Sequence, residues 1–143
     1  MSRIWRYTAR MGVLDALRAS LRVRPAAKRA EFRLLYEPSP SVRIDVGHLT
    51  FDGRSWVFTY DDEYKRRGDL RPLEGFPDKT QTYRSTVLFP IFAVRIPDLD
   101  RRDVRRRLKQ DRLQDPDLID MLRLFGRRVV SSPGFELIPC TAA

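Results

Sequence analysis

The chain lacks the residues from which most recognisable sites are built. It has one cysteine, Cys140, and one histidine, His48, among 143 residues. A single cysteine excludes an internal disulfide framework, which suits a reducing compartment and predicts a cytoplasmic protein. One cysteine and one histidine are also too few for an ordinary zinc finger, so we expect no metal and no cofactor. Apolar runs long enough to span a membrane are missing, as is the continuous apolar stretch of a secretory signal, so we expect no membrane partner.

What the chain has in excess is positive charge, and that charge is uneven. It contains 28 Lys and Arg residues against 19 Asp and Glu residues, a net charge of +9. Residues 1–30 hold eight basic residues and one acid, whereas the remaining 113 residues carry a net charge of only +2. A basic excess favours nucleic acid, an anionic membrane or an acidic protein face as a partner.

We therefore divide the chain into a basic N-terminal extension, residues 1–30, and a domain, residues 31–143. Met11, Leu14, Leu17 and Leu21 recur at helical spacing, which predicts an amphipathic helix in the extension. This helix either packs on the domain or a partner, or belongs to a basic arm that contacts phosphates. The candidate nucleic-acid contacts are Arg3, Arg6, Arg10, Arg18 and Arg22, together with Arg105 and Arg106 from a later Arg-rich helix.

The first half of the domain has the pattern of β-strands. Strands are predicted over residues 31–37, over residues 42–46, from Leu49 to Phe51, and over residues 56–60. Gly47 is expected to break or turn the second of these. Asp52-Gly53 is a strong hairpin signal, because glycine adopts the positive φ that a tight turn needs.

The second half has mostly helical patterns. We predict a charged turn or short helix over residues 61–67, a helix from Pro90, a charged helix over 100–113, and a helix that Asp115-Pro116 opens and Gly126 closes. Strand pieces are expected over 127–130 and 135–138. Strands first and helices later indicate an α+β fold, with a small mixed β-sheet or a partly open barrel, helices in the C-terminal half and an extra N-terminal helix.

The polar, Pro-marked excursion over residues 68–84 is the predicted interaction surface. Its aromatic residues Phe76 and Tyr83 lie near Arg71 and Arg84 in the sequence, and aromatic and Arg residues dominate binding hot spots. We predict these four residues as the partner-binding set. The alternative is a loop that folds back on its own domain.

The residues do not predict catalysis. Asp61, Asp62 and Glu63 are adjacent acids without the spacing of a metal or acid–base site. Residues 131–134 lack the glycine spacing and the lysine of a phosphate-binding loop, so we read them as a turn. We therefore expect no enzyme activity.

The order of several short motifs resembles the small N-terminal domain of HipA-type kinases. In chain order these motifs are Phe58-Thr59-Tyr60, Glu63-Tyr64, Arg71-Pro72-Leu73, Pro77, Phe89-Pro90-Ile91-Phe92, Ile96-Pro97-Asp98, Arg101, Leu122, Gly126 and Leu137-Ile138-Pro139. They extend over residues 31–139. The sequence departs from the family after Gly126, where a Gly-Ala-Val type of strand is usual and Val129-Val130-Ser131 stands here.

The resemblance implies a stand-alone HipA N-terminal-type domain, similar to the HipS-like small proteins of bacterial toxin–antitoxin systems. Such a module would be a non-catalytic antitoxin-like partner that binds and restrains a HipA-type Ser/Thr kinase core, with or without a helix-turn-helix DNA-binding protein. The alternative function, from the charges, is a nucleic-acid-binding accessory protein that acts through the basic extension and the Arg-rich helix. The oligomeric state stays open.

Overall fold

Five antiparallel strands form one open sheet. The computed structural model describes residues 28–130 and 132–140, so the predicted N-terminal helix, with Arg3, Arg6, Arg10, Arg18 and Arg22, lies outside the described residues. The strands are β1 (Ala30–Ser39), β2 (Val42–Phe51), β3 (Trp56–Tyr60), β4 (Thr82–Ser85) and β5 (Phe135–Pro139). Their order across the sheet is β4-β3-β2-β1-β5.

Four short helices complete the described fold. They are α1 (Asp62–Arg66), α2 (Pro90–Ala93), α3 (Arg102–Gln110) and α4 (Leu118–Phe125). The α+β prediction is confirmed. The sheet is open rather than a closed barrel, and every strand pairing in the described part is antiparallel.

The sheet buries one face against the helices. Core side chains come from alternate strand positions, such as Phe32, Leu49 and Phe58, and join Phe92 of α2 and Ile119 of α4 in one hydrophobic cluster. Most intervening positions are half-buried or exposed, because successive side chains of a strand point to opposite faces; Leu35 and Glu136 are buried exceptions.

Gly47 does not end a strand, so that prediction is wrong. β2 runs through it, and a bulge absorbs one residue: Leu34 pairs with Gly47, Leu35 pairs with Asp45, and Val46 is passed over. A Cβ atom at position 47 would lie 2.5 Å from the carbonyl oxygen of Thr59. Glycine is needed here for the close approach of β3, not for a turn.

The predicted hairpin at Asp52-Gly53 is confirmed between β2 and β3. Gly53 has a φ of +99°. The Asp52 carboxylate accepts hydrogen bonds from the backbone N–H groups of Arg54 and Ser55, at 2.9 and 2.8 Å. The bond from Ser55, and then the bond from Arg54, lower the pKa of Asp52 below its ordinary value.

The last helix begins two residues later than the sequence predicts. Its N-cap is Asp117, whose carboxylate accepts from the backbone N–H of Asp120 at 2.9 Å, while the Asp120 carboxylate accepts from the backbone N–H of Asp117 at 3.1 Å. Such a reciprocal cap needs a side-chain acceptor three residues on, and Asp115 has Leu118 there instead. Lys28 Nζ donates to both carboxylates, at 2.8 and 2.7 Å.

The edge of β5 that faces away from β1 already forms hydrogen bonds within the chain. Its outward N–H groups donate inside the chain, from Phe135 to the carbonyl of Ser132 at 3.3 Å and from Leu137 to the carbonyl of Arg127 at 2.9 Å, and Pro139 has no N–H to offer. Residues 127–130 are not a strand, so that prediction is wrong. Arg127 seals the edge of β5 instead of extending the sheet.

Candidate partner-binding surface

Residues 67–81, here called the tethered segment, contain no helix or strand but are fixed by hydrogen bonds from core tyrosines. The Tyr60 hydroxyl accepts from the backbone N–H of Leu73 at 2.8 Å and donates to the carbonyl of Phe76 at 2.6 Å. Burial raises the pKa of Tyr60 well above its usual range. One hydroxyl therefore holds two points of the segment to β3.

A second set of bonds closes the first part of the segment. The Tyr64 hydroxyl donates to the carbonyl of Arg71 at 2.5 Å. Lys79 Nζ donates to the carbonyls of Tyr64, Arg67 and Leu70, at 3.3, 2.8 and 2.9 Å. The same ammonium lies 5.3 Å from the centroid of the Tyr64 ring, within cation–π range.

Phe76, a predicted partner contact, lies in the core. Its side chain is 1% exposed, and its ring centroid is 4.4 Å from that of Phe58, 4.9 Å from that of Tyr83 and 5.0 Å from that of Phe89. The ring therefore fastens the tethered segment to the sheet. A role of Phe76 in partner binding stays a prediction.

Tyr83, the other predicted aromatic contact, is 3% exposed. Its hydroxyl accepts from the backbone N–H of Asp78 at 2.8 Å and donates to the Asp78 carbonyl at 3.0 Å. Both rings of the predicted set thus fold back on their own domain. Their burial makes Arg71 and Arg84 the members of the set that a partner can reach.

Arg71 and Arg84 are exposed, on different elements. Arg71 belongs to the tethered segment. Arg84 belongs to β4 and forms an ion pair with Asp52 at 3.0 Å. The sequence did not predict β4, which is only four residues long. Its one sequence signal is the aromatic Tyr83 between the polar residues Thr82 and Arg84.

A groove of about 480 Å³ lies between the tethered segment, β1 and α2. Its lining includes Tyr36, Tyr64, Leu70, Pro72, Ile91 and Phe92, with Arg71 and Arg95 as its basic residues. Apolar and aromatic side chains therefore share the lining with two basic and two acidic residues, the acids being Asp69 and Glu74.

The sequence reasoning missed Arg95, which is 4% exposed. Its Nη1 donates to the carbonyls of Gly126 and Arg127, at 2.9 and 3.0 Å, beyond the C-terminal end of α4. Its Nε is buried and has no acceptor among the described residues. Burial lowers the pKa of Arg95 to about 10. The only sequence signal was an arginine between the apolar residues Val94 and Ile96.

Three arginines converge on the buried carboxylate of Glu136. Arg43 and Arg128 approach it at 3.3 and 3.7 Å, and Arg127 forms a shorter ion pair. Burial opposes ionisation of Glu136, but the hydrogen bond and charge of Arg127, with the charges of Arg128 and Arg43, lower its pKa overall. The cluster carries more positive than negative charge.

The Arg-rich helix α3 pairs part of its charge locally. Arg105 lies 3.2 Å from Asp100, and Arg107 lies 2.7 Å from Asp111. Arg106 is exposed, so phosphate contacts by Arg105 and Arg106 stay a prediction. Within residues 28–130 and 132–140, no group of three or more His, Cys, Asp or Glu side chains could hold a metal ion. None of the helices described there has the length and apolarity needed to cross a bilayer.

A family model described as the HipA N-terminal domain matches residues 42–130, more than half of the chain. The match covers β2 to the end of α4, including the whole tethered segment. β1 and β5 lie outside the matched range but pair with each other in the same sheet. Neither a curated protein nor a solved structure matches the chain.

Proposed function

The chain belongs to the HipA N-terminal domain family, and we propose that it is a non-catalytic, antitoxin-like partner that binds and restrains a HipA-type Ser/Thr kinase. Family membership supports a toxin–antitoxin role associated with a HipA-type protein. Binding to a kinase core, its restraint, and a bacterial cytoplasmic setting are our proposals.

The observation that carries the proposal is the tethered segment. Tyr60, Tyr64 and Lys79 fix its backbone before any partner arrives. A segment that is already ordered loses little conformational entropy on binding, so more of the contact energy appears as affinity. Arg71 stands exposed on this fixed backbone, and Arg can form bidentate hydrogen bonds with a carboxylate across an interface.

Restraint follows if the module prefers one state of the kinase. A specific complex buries about 800 Å² on each partner. A module that binds the inactive kinase more tightly than the active kinase shifts the population toward the inactive state by that difference in affinity. No catalytic group of the module is required.

The proposal is tested by capturing the tagged chain from its native cells with nuclease present, followed by mass spectrometry and calorimetry with the kinase that is recovered. We expect Arg71→Ala to weaken binding by about tenfold or more, as truncation of an interface arginine does at a hot spot. Arg54→Ala, in the exposed hairpin, is the matched control and should leave the affinity unchanged. Absence of any HipA-type kinase from the captured material would overturn the proposal.

A second candidate function, nucleic-acid binding, is favoured by the three arginines around Glu136 and by the basic extension. Phosphate contacts release counterions, so the affinity would fall steeply as salt rises. Filter binding of duplex DNA at increasing salt, with and without residues 1–27, tests it, because this deletion removes the basic arginines but keeps Lys28 and the whole of β1. Affinity that is insensitive to salt would exclude this function.

A further inference from the structure

We propose that the groove beside Arg95 binds a partner peptide in which a carboxylate lies next to an apolar side chain. The apolar side chain would lie on the groove wall, and the carboxylate would supply the acceptor that Arg95 lacks. The proposal deepens the function above and rests on it only for the identity of the protein that carries the peptide.

The first argument is the unmatched arginine. Arg95 is 4% exposed, and no acidic side chain forms an ion pair with it in the described part of the chain. Two backbone carbonyls satisfy Nη1, whereas Nε has no acceptor there. A buried charged donor without an acceptor is costly, so an anion that reaches it gains more than it would at an exposed arginine.

The second argument is the shape and chemistry of the wall. Arg95 lines the same groove as Tyr36, Tyr64, Ile91 and Phe92. Two of these walls are fixed: Tyr64 donates to the carbonyl of Arg71, and the Tyr36 ring stacks on that of Phe135 with centroids 4.7 Å apart. Apolar walls with a few placed polar groups are typical of ligand sites, and here they fit an apolar side chain.

The third argument selects a carboxylate over a phosphate. The groove is lined by two acids, Asp69 and Glu74, as well as by Arg71 and Arg95. Asp69 already pairs with Arg67 at 2.7 Å. A dianion would be repelled by these two acids more strongly than a single carboxylate, which supplies the acceptor that the buried Nε lacks. The Nε atom is buried in the free chain, so a side chain of the groove wall must move before a ligand can reach it. Such a movement would change the nuclear magnetic resonance signal of the Arg95 Nε–Hε group.

The test uses nuclear magnetic resonance of the Nε–Hε groups of arginine in the full ¹⁵N-labelled chain. The probes are 3-phenylpropionate, its neutral amide 3-phenylpropanamide, and inorganic phosphate. We expect 3-phenylpropionate to shift the Arg95 signal saturably, and the amide to bind about tenfold more weakly, because it lacks the charge-assisted bond. Binding to the variants is followed through the backbone amide signals of Ile91 and Phe92, which line the groove. Arg95→Gln should abolish their saturable shift with 3-phenylpropionate, and Arg54→Gln should retain it.

Each result decides the question. No shift with 3-phenylpropionate, or an equal shift with the amide, would overturn carboxylate binding. An equal or larger shift with phosphate would reassign the groove to phosphorylated ligands. The measurement on the unsubstituted chain holds even if Arg95→Gln does not fold. If the titration fails but a kinase is captured, the carboxylate site in the groove is wrong and the proposed function stands. If the titration succeeds but no kinase is captured, the site stands and the proposed partner is wrong.

Discussion

The tethered segment and helix α3 hold their shapes by different means. The tethered segment has no helix or strand, yet Phe76 packs among four aromatic rings and the hydroxyls of three buried tyrosines bond the segment's backbone. α3 is a regular helix, yet only Val104 and Leu108 of its nine residues are buried. Regular secondary structure and firm attachment to the domain are therefore separate properties, and here the irregular region is the more firmly attached.

Phe76→Ala should have the largest effect on the attachment of the tethered segment to the domain. It should reduce the free energy of unfolding by about 3–5 kcal/mol, because it removes a buried ring and leaves a cavity between the segment and the sheet. Urea denaturation measures the loss. Val87→Ala, at an exposed valine, is the control and should change little. A loss below about 1 kcal/mol for Phe76→Ala would mean that the ring does not anchor the segment.

Tyr60→Phe isolates the hydrogen bonds from the packing. It keeps the ring but leaves the N–H of Leu73 and the carbonyl of Phe76 without their partner, at a cost of about 2–4 kcal/mol in total. Tyr36→Phe is the matched control, because the Tyr36 hydroxyl forms no hydrogen bond to another described residue. Both free energies of unfolding are measured by urea denaturation. Equal decreases in the two variants would show that the Tyr60 hydroxyl stabilises the domain no more than the Tyr36 hydroxyl does.

Arg107→Ala probes the opposite case on α3 and should have the smallest effect. The Arg107–Asp111 pair is solvent-exposed and spans one helical turn, so its loss should cost about 0.3–0.5 kcal/mol. Thermal unfolding at low and at high salt measures it, and the difference between the two proteins should shrink as salt rises. A cost above about 1 kcal/mol would place α3 among the firmly attached parts of the molecule.

Features set by neighbouring residues were predictable from the sequence. Asp52-Gly53 specifies its turn through the φ of one glycine, and Pro90 begins α2, at the first turn of a helix where its missing N–H costs nothing. The order of the predicted elements, strands first and helices later, also led to the right fold class. These signals lie within a few residues of the structure they determine.

Features set by contacts distant in sequence were not predictable. The role of Gly47 depends on the approach of Thr59 and Phe58, which no local pattern contains. Phe76 looked like an exposed hot spot because its neighbours in sequence are polar, whereas its neighbours in space are aromatic. Arg95 became a candidate only when its burial and its unsatisfied Nε were known.

Because the edge of β5 is occupied, the two edges of the sheet differ in their ability to pair with a strand of another molecule. With the outward N–H groups of Phe135 and Leu137 engaged and none on Pro139, a strand from another molecule meets no free donor along residues 135–139. Head-to-tail stacking of copies, β4 on β5, is therefore disfavoured along this edge. Two copies that paired through β4 would instead form a closed two-fold pair rather than a growing sheet.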